Sequence, residues 1–178
     1  MNKKVLILSS SPRKGGNSNL LCEQFIMGAK EAGHHAEKIS FSDKKINYCT
    51  GCGTCFEKKR CSQKDDMAEI LEKMIAADVI VMATPIYFYT MCGQMKTMID
   101  RTCARYTEIS NKEFYFIITA AVNNKKALER IIEEFRGFTS CLKSPKEKGI
   151  IYGTGAWNIG DIKKSDAMKK AFEMGNNL

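Results

Sequence analysis

Short apolar runs alternate along the chain with longer segments that carry apolar residues on one helical face. The short runs are typical of strands that are buried on both sides of a sheet. They predict strands at 4–10, 36–41, 79–83, 114–119 and 149–152. The longer segments predict helices at 19–32, 66–75, 95–103, 127–142 and 166–174. Asp66 and Glu69 have the spacing of a capping box, so the second helix is expected to begin there.

This alternation of strands and helices predicts a parallel sheet covered by helices on both faces. The expected fold is α/β, a flavodoxin-like three-layer sandwich with a five-stranded parallel sheet in the order 2-1-3-4-5. The 178 residues are expected to form a single domain over 1–178. Ligands of such sheets bind beyond the carboxyl ends of the strands. The loops after strands one, three, four and five are therefore the expected site.

Composition and charge exclude several classes of partner. No apolar run is long enough to span a membrane, and the apolar start of the chain is too short for a signal peptide. These features predict a cytoplasmic protein with no membrane partner. The formal charge of +8 is spread over separated lysine doublets, which indicates solvated faces and no nucleic-acid partner. A phosphorylated ligand or a nicotinamide nucleotide would suit the positive surface.

A cysteine-rich loop is predicted at 42–65. Its C-x2-C-x2-C-x5-C pattern consists of Cys49, Cys52, Cys55 and Cys61. In a reducing compartment, clustered cysteines bind metals or act chemically more often than they form disulfides. Two interpretations stay open: ligands of one metal centre or iron–sulfur cluster, or free thiols. The four scattered cysteines are expected to be small buried apolar residues; they are Cys22, Cys92, Cys103 and Cys141.

The loop after the first strand is suited to a phosphate monoester. It lies directly before a helix, whose N-terminus offers free N–H groups and a positive dipole end. Gly15 and Gly16 allow the backbone to approach a ligand closely. The loop lacks the glycine patterns of dinucleotide folds and of nucleoside triphosphatases. The candidate phosphate-binding side chains are Ser11, Arg13, Asn17 and Ser18.

The segment 84–90 carries three consecutive aromatic residues after the third strand, and it is predicted to be a loop that lines a planar ring. For any one aromatic taken alone, packing beneath the loop is the alternative. The polar segment 120–124 and the glycine-rich segment 153–160, with Trp157, are expected to complete the rim. The candidate ring contacts are Pro85, Ile86, Tyr87 and Phe88.

Taken together, these motifs resemble those of the NADPH-dependent FMN reductase-like family of the flavodoxin superfamily. The matching motifs are Ser11-Pro-Arg-x-x-Gly-Asn-Ser18, Cys49-x-x-Cys52-x-x-Cys55, Asp65-Asp66-Met67, Ala77-Asp78, Thr84-Pro-Ile-Tyr-Phe88 and Lys96-x-x-x-Asp100-Arg101. The resemblance implies FMN as cofactor, with its phosphate on the first loop and its isoalloxazine on the segment 84–90. It implies NAD(P)H as donor, a small-molecule acceptor such as a flavin or quinone, and a homodimer or homotetramer.

Three functions are weighed on this basis. The leading expectation is an FMN-dependent NAD(P)H oxidoreductase in which no side chain acts as an acid or base. The cysteine spacing also resembles that of iron–sulfur flavoproteins, which implies one-electron transfer with ferredoxin as partner. A non-enzymatic redox sensor is the third. Lys96, Asp100 and Arg101 are expected to form a surface ion-pair set or to have a direct role.

Overall fold

A parallel sheet at the centre of the protein contains the five predicted strands. The computed structural model describes residues 2–178. The strands are β1 (Lys4–Ser9), β2 (His35–Ser40), β3 (Val79–Tyr87), β5 (Glu113–Thr119) and β6 (Lys146–Gly153), and a short extra strand is β4 (Thr90–Met91). The parallel strands lie in the order β2-β1-β3-β5-β6, while β4 pairs antiparallel with β3. This order confirms the predicted flavodoxin-like fold, since β4 adds only a hairpin.

Helices cover both faces of the sheet. They are α1 (Asn17–Glu31), α2 (Thr54–Lys58), α3 (Met67–Ala76), α4 (Gly93–Arg101), α5 (Glu129–Thr139) and α6 (Ala167–Asn176). Successive strand residues point to opposite faces, so Val5 and Ile7 pack with α1 and α6 while Leu6 and Leu8 pack with α3, α4 and α5. Within residues 2–178 no helix has the length and apolar character needed to cross a membrane.

The prediction of a loop at 84–90 is wrong. β3 continues to Tyr87, and its extension keeps pairing with β5 as far as Pro85 and Thr119. The chain then reverses at Phe88 and Tyr89, whose φ angles of 49° and 62° place both in the left-handed region. Such angles are normally adopted by glycine or asparagine, so this tight turn has no local signature in the sequence.

The capping-box prediction is also wrong. Asp66 precedes α3, but its carboxylate accepts a hydrogen bond from the Lys45 N–H at 2.6 Å and caps nothing in the helix. Glu69 pairs instead with Lys44 at 2.9 Å. The preceding residue, Asp65, accepts from the Met67 N–H at 3.2 Å, so it is Asp65 that satisfies the start of α3.

Two of the four scattered cysteines differ from the prediction of burial. Cys22 and Cys92 are buried, as expected. Cys141 is exposed at the end of α5, and Cys103 is half-buried in the 3-10 turn that follows α4. α2 packs on this turn, which brings Cys103 next to the cysteine-rich loop. The sequence could not show this approach, because it joins segments that are far apart along the chain.

The two helices α1 and α6 cross with their backbones in direct contact, and a glycine on each helix permits the approach. A Cβ at Gly28 would lie 2.0 Å from the Phe172 carbonyl oxygen, and a Cβ at Gly175 would lie 2.1 Å from the Phe25 carbonyl oxygen. Backbone atoms cannot move aside as a flexible side chain can. The crossing therefore requires glycine at both positions.

We expect Gly28→Ala to destabilise the protein by about 3 kcal/mol, because the new methyl group forces α1 and α6 apart. The matched control is Gly137→Ala in α5, where nothing lies within 4 Å of the added Cβ. That change should stabilise the helix by about 0.5–1 kcal/mol. Urea denaturation followed by circular dichroism measures both. Equal free energies of unfolding for the two variants would contradict the glycine crossing.

Candidate functional site

The loop between β1 and α1 forms a cradle at the carboxyl edge of the sheet. Gly15 has a φ of 66°, which suits glycine. A Cβ at Gly16 would meet the Arg13 carbonyl oxygen at 3.0 Å and the Ser11 Oγ at 3.1 Å, so the loop is closely wound. The first-turn N–H groups of α1 have no partner inside the helix and form its positive end. This arrangement is suited to a bound anion.

Three loops converge on one cavity of about 300 Å³. The loop after β1, the end of β3 and the loops after β5 and β6 all contribute to its wall, as expected for the carboxyl edge of a parallel sheet. The predicted FMN contacts that line it are Ser11, Arg13, Asn17, Ser18, Pro85, Ile86 and Tyr87. The other lining residues are Gly16, Thr119, Ala120, Ala121, Ala156 and Trp157.

Phe88 is the one predicted FMN contact that does not line this cavity. It lies in the turn between β3 and β4 with 98% of its surface exposed. A hydrogen bond attaches the hairpin to α5, because the Met91 N–H donates to Glu134 Oε2 at 3.0 Å. A left-handed conformation at a bulky residue has an energetic cost, and such sites are often functional. Phe88 thus stands beside the cavity mouth, and a ring contact for it stays a prediction.

Asn17 links the phosphate loop to the segment after β6. Its Nδ2 donates to the carbonyl oxygens of Ala156 at 3.2 Å and Asn158 at 2.8 Å, and its Oδ1 accepts from the Gly160 N–H at 3.0 Å. The side-chain amide is therefore fully engaged within the protein. Asn17 thus positions two walls of the cavity against each other, and a phosphate contact for it stays a prediction.

Hydroxyl groups beneath the cradle are paired in the same way. Ser18 Oγ lies 2.6 Å from Thr119 Oγ1, which joins α1 to the end of β5. Thr119 was not among the predicted site residues, because the loop after the fourth predicted strand was expected to begin at Ala120. The signal was present, because Thr119 is the last residue of a buried strand at the ligand edge.

Arg13 carries the available positive charge of the cradle. Its Nη1 donates to the Trp157 carbonyl oxygen at 3.0 Å, and within residues 2–178 no carboxylate pairs with it. Trp157 is itself largely exposed at the cavity rim. A guanidinium that remains unneutralised beside a helix N-terminus is suited to an anionic group of a ligand.

The four cysteines of the predicted metal set lie on one exposed loop that includes α2, but they face different neighbours. Cys52 contacts the hydroxyl groups of Thr54 at 3.4 Å and Ser62 at 3.7 Å. Hydrogen bonding to Thr54, and then to Ser62, lowers the pKa of Cys52 to about 6. Within residues 2–178 no three His, Cys, Asp or Glu side chains converge as a metal site. The structure therefore does not gather Cys49, Cys52, Cys55 and Cys61 into one cage.

Cys55 and Cys61 lie near the C-terminal end of α4 and the 3-10 turn that follows it. Burial raises the pKa of Cys103, and the neighbouring thiols of Cys55 and Cys49 raise it further. Cys61 lies against the guanidinium of Arg101. Four cysteine sulfurs are the kind and number of ligands that an iron–sulfur cluster takes, but among the described residues they do not surround one centre. The orientation of the thiols is what differs, since they would have to turn towards one another to hold it.

A buried ion pair fixes both ends of the cysteine-rich loop. The side chains of Arg101 and Asp65 are 1% and 0% exposed. Arg101 Nη1 and Nη2 donate to the two Asp65 carboxylate oxygens at 2.7 Å and 2.9 Å, and Nη1 also donates to the Asn47 carbonyl oxygen at 2.7 Å. Asp65 in turn accepts from the Asn47 N–H at 2.9 Å. Both ends of the loop are therefore bound to the same side chain of α4.

The expectation of a surface ion-pair set holds for two of its three residues. Lys96 and Asp100 form an exposed pair at 2.6 Å, one helical turn apart. The expectation is wrong for Arg101, whose side chain is buried against Asp65. Asp65 lies 36 positions earlier in the chain, so no local periodicity identified the partner.

The ionisation of Asp65 depends on its partners. Burial alone would raise the pKa of this carboxyl. The hydrogen bonds from Arg101 and from the N–H groups of Asn47 and Met67 outweigh burial, so the pKa of Asp65 lies below its ordinary value of 3.8. Hydrogen bonding to Asp65 correspondingly raises the pKa of Arg101. Both groups are charged at neutral pH.

Sequence comparisons found proteins that are related to this chain. A sequence model of the family described as NADPH-dependent FMN reductase matches residues 3–140. A protein of Archaeoglobus fulgidus named iron-sulfur flavoprotein is 42% identical over 98 residues, which is 55% of this chain and 44% of that protein. One of Methanocaldococcus jannaschii with the same description is 41% identical over 99 residues, 56% of this chain and 51% of that protein. The chain thus spans about half the length of these curated relatives.

Solved structures share the fold. An FMN-dependent NADH-azoreductase from Bacillus anthracis, solved in complex with FMN, superimposes with a TM-score of 0.76 over 98% of this chain and 99% of that one. Its sequence identity is 17%, so the likeness establishes the arrangement of the sheet and helices alone.

We expect Asp65→Asn to destabilise the protein at pH 7 by about 3–5 kcal/mol, because it leaves the buried Arg101 charge uncompensated. The matched control is Asp100→Asn, which removes an exposed pair worth about 0.5 kcal/mol. The folded pKa of Asp65 is lowered, so its contribution is complete above pH 3.8 and declines as the pH falls through the folded value. Thermal melts from pH 7 to pH 3 measure this.

The wild-type protein should therefore lose melting temperature more steeply below pH 3.8 than Asp65→Asn does, since the variant lacks the titrating group. Asp100→Asn should follow the wild-type profile. The assignment fails if Asp65→Asn and Asp100→Asn are equally stable at pH 7.

Proposed function

The chain belongs to the NADPH-dependent FMN reductase family, and from this membership we propose that it is an FMN-dependent NAD(P)H oxidoreductase. The observation that carries the proposal is the single cavity on which the predicted phosphate loop and ring segment converge. FMN has a phosphate at one end and a flat ring at the other. The cavity correspondingly has an anion cradle at one end and Pro85, Ile86 and Tyr87 at the other.

The residues of the cavity divide into those that bind and those that position. Arg13 and the first-turn N–H groups of α1 would hold the phosphate by charge-assisted hydrogen bonds. Asn17 and Ser18 fix the surrounding walls through their bonds to the segment after β6 and to Thr119. Tyr87 would flank the ring. When bound, FMN supplies the hydride-accepting and electron-transfer chemistry.

The cavity wall holds no carboxylate, histidine or lysine among the described residues. We propose on this basis that no side chain acts as a general acid or base. The contribution of the protein is then orientation of the donor against the ring and exclusion of water from it. We propose no catalytic residue for this reason.

The rim of the cavity favours a flat small-molecule acceptor. Tyr87, Phe88, Tyr89 and Trp157 expose large aromatic surfaces around the mouth. Such surfaces stack on planar molecules such as quinones or free flavins, and they are also typical of subunit contacts. We propose a small planar electron acceptor, and a homodimer or homotetramer in which this rim takes part, in a cytoplasmic setting.

A second candidate is that the protein is an iron–sulfur flavoprotein that passes single electrons. Its specific support is the four-cysteine loop together with relatives of that name at about 40% identity. Cys49, Cys52, Cys55 and Cys61 would hold a 4Fe–4S cluster after the thiols turn inward, with ferredoxin as the electron-transfer partner. The exposed loop has room for this rearrangement, since none of α2 is buried.

A redox sensor without enzymatic activity is the third candidate. The exposed Cys52, with its pKa lowered to about 6, is the kind of thiol that oxidants attack. A free thiol loop is therefore the alternative to the cluster, and both are compatible with FMN in the cavity.

We expect Arg13→Ala to weaken FMN binding about tenfold or more, because a charge-assisted hydrogen bond to the phosphate is lost. Riboflavin has the same ring without the phosphate, so its affinity should not change. Arg136→Ala, which removes an exposed guanidinium paired with Glu147, is the matched control. Fluorescence quenching titrations measure all six affinities. An equal loss for FMN and riboflavin would refute a phosphate contact for Arg13.

Anaerobic purification separates the three candidates. Flavin absorption bands that bleach with NADPH or NADH are the expected result for the oxidoreductase. Iron and acid-labile sulfide in stoichiometric amounts, with bleaching by reduced ferredoxin, would favour the iron–sulfur flavoprotein. Flavin that neither nicotinamide nor ferredoxin reduces would favour the sensor. Failure to bind added FMN would overturn the proposal itself.

A further inference from the structure

A buried polar cluster lies behind the candidate FMN cavity, at the base of the hairpin that β3 and β4 form. It consists of Ser10, Thr84 and Cys92, whose exposed fractions are 0%, 0% and 1%. None of these three residues lines the cavity itself. Their hydrogen bonds connect the hairpin to the first residue after β1, where the phosphate cradle begins. A fully paired buried network of this kind holds the elements that it joins in one arrangement.

Two chains of hydrogen bonds begin at Cys92. The Cys92 N–H donates to Thr84 Oγ1 at 3.1 Å, and the Thr84 hydroxyl donates to the Pro85 carbonyl oxygen at 2.8 Å. The Cys92 thiol lies 3.1 Å from Ser10 Oγ, whose own hydroxyl donates to the Ala83 carbonyl oxygen at 2.9 Å. Because the Ser10 proton is used in that bond, the thiol is the donor and Ser10 is the acceptor. Each thiol and hydroxyl proton of the cluster thereby has an acceptor.

The cluster acts where pairing within the sheet has ended. β1 pairs with β3 only as far as Ala83, whereas β3 continues to Tyr87. The extension carries Pro85, Ile86 and Tyr87, the ring wall of the cavity, and it has no further pairing with β1. Its position relative to the phosphate cradle is therefore not set by the sheet alone. Cys92, which follows β4 and precedes α4, supplies a contact from the hairpin to the start of the cradle.

We propose that Cys92 is a positioning residue that fixes the distance between the ring wall and the phosphate cradle. This inference rests on the proposed FMN site. FMN bridges both ends of the cavity, so it gains from its phosphate only if the cradle stands at the right distance from a seated ring. Riboflavin, which has the ring without the phosphate, makes no such demand. The ratio of the FMN affinity to the riboflavin affinity therefore reports on the role of Cys92.

The test is a set of fluorescence quenching titrations of each variant with FMN and with riboflavin. Cys92→Ala removes the thiol donor, and we expect the affinity ratio to fall about three- to tenfold, the effect of one buried hydrogen bond. Cys92→Ser keeps a donor at the same position, so its ratio should stay closer to that of the wild type. The affinity for riboflavin should change little in either variant.

Two control variants separate this role from general destabilisation. Cys22→Ala makes the same truncation at a fully buried thiol of α1, so it should lower stability without changing the affinity ratio. Glu134→Ala detaches the hairpin from α5, where Glu134 accepts from the Met91 N–H, but it leaves the contact between Cys92 and Ser10. It should affect FMN and riboflavin alike. Urea denaturation measures the stability of every variant.

A lower ratio in Cys92→Ala that Cys92→Ser largely restores is the expected result. An unchanged ratio in Cys92→Ala, a ratio equally low in Cys92→Ser, or an equal fall in either control variant would overturn the inference. If Cys92→Ala does not fold, Thr84→Val removes the acceptor of the Cys92 N–H, and Thr84→Ser keeps it. The ratio should then be lower in Thr84→Val than in Thr84→Ser, and equal ratios would overturn the inference.

The wild-type protein distinguishes this inference from the proposed function. Wild-type protein that binds neither FMN nor riboflavin would overturn both. Wild-type protein that binds the two flavins equally well would overturn the phosphate contact and this inference with it. Wild-type protein that prefers FMN, with the same preference in Cys92→Ala, would overturn this inference alone.

Discussion

The buried ion pair between Asp65 and Arg101 is the constraint on which the second half of the site depends. Two charges removed from water contribute little net stability to the fold. Separation of the two partners, however, would leave an uncompensated buried charge, so the two side chains must stay together. That geometry brings Asn47 and Asp65 to the end of α4, and it sets where α3 begins. A loop with few buried residues is thereby held at a fixed place beside the sheet.

The flavin half of the site depends on a different constraint, which is the parallel sheet itself. Parallel strands end at a common edge, so the segments after β1, β3, β5 and β6 meet without any long-range signal in the sequence. Asn17 and Ser18 then lock these segments together by hydrogen bonds across the cavity. These bonds tie the walls of the cavity to one another, whereas the four thiols of the cysteine-rich loop have no common centre among the described residues.

Strand positions and the loop before α1 were predictable because each appears as a local pattern, and the strand order followed from the alternation of strands and helices. Buried strands appear as apolar runs, and the cradle appears as small residues before an amphipathic helix. The β3–β4 turn was not predictable, since Phe88 and Tyr89 adopt angles that their side chains disfavour. The burial of Arg101 depends on a partner 36 residues away, and the approach of Cys103 to Cys55 depends on the packing of α2. None of these three features can be identified from local periodicity in the sequence.

The contact between α1 and α6 has a consequence for the order of events during synthesis. α1 begins at the phosphate cradle, yet its opposite face is completed only by α6, near the C-terminal end of the described residues. Until α6 has been made, α1 can pack on the sheet, but the side of α1 that α6 covers stays exposed. The contact that supports α1 on this side is therefore complete only once the chain as far as residue 176 has folded onto it.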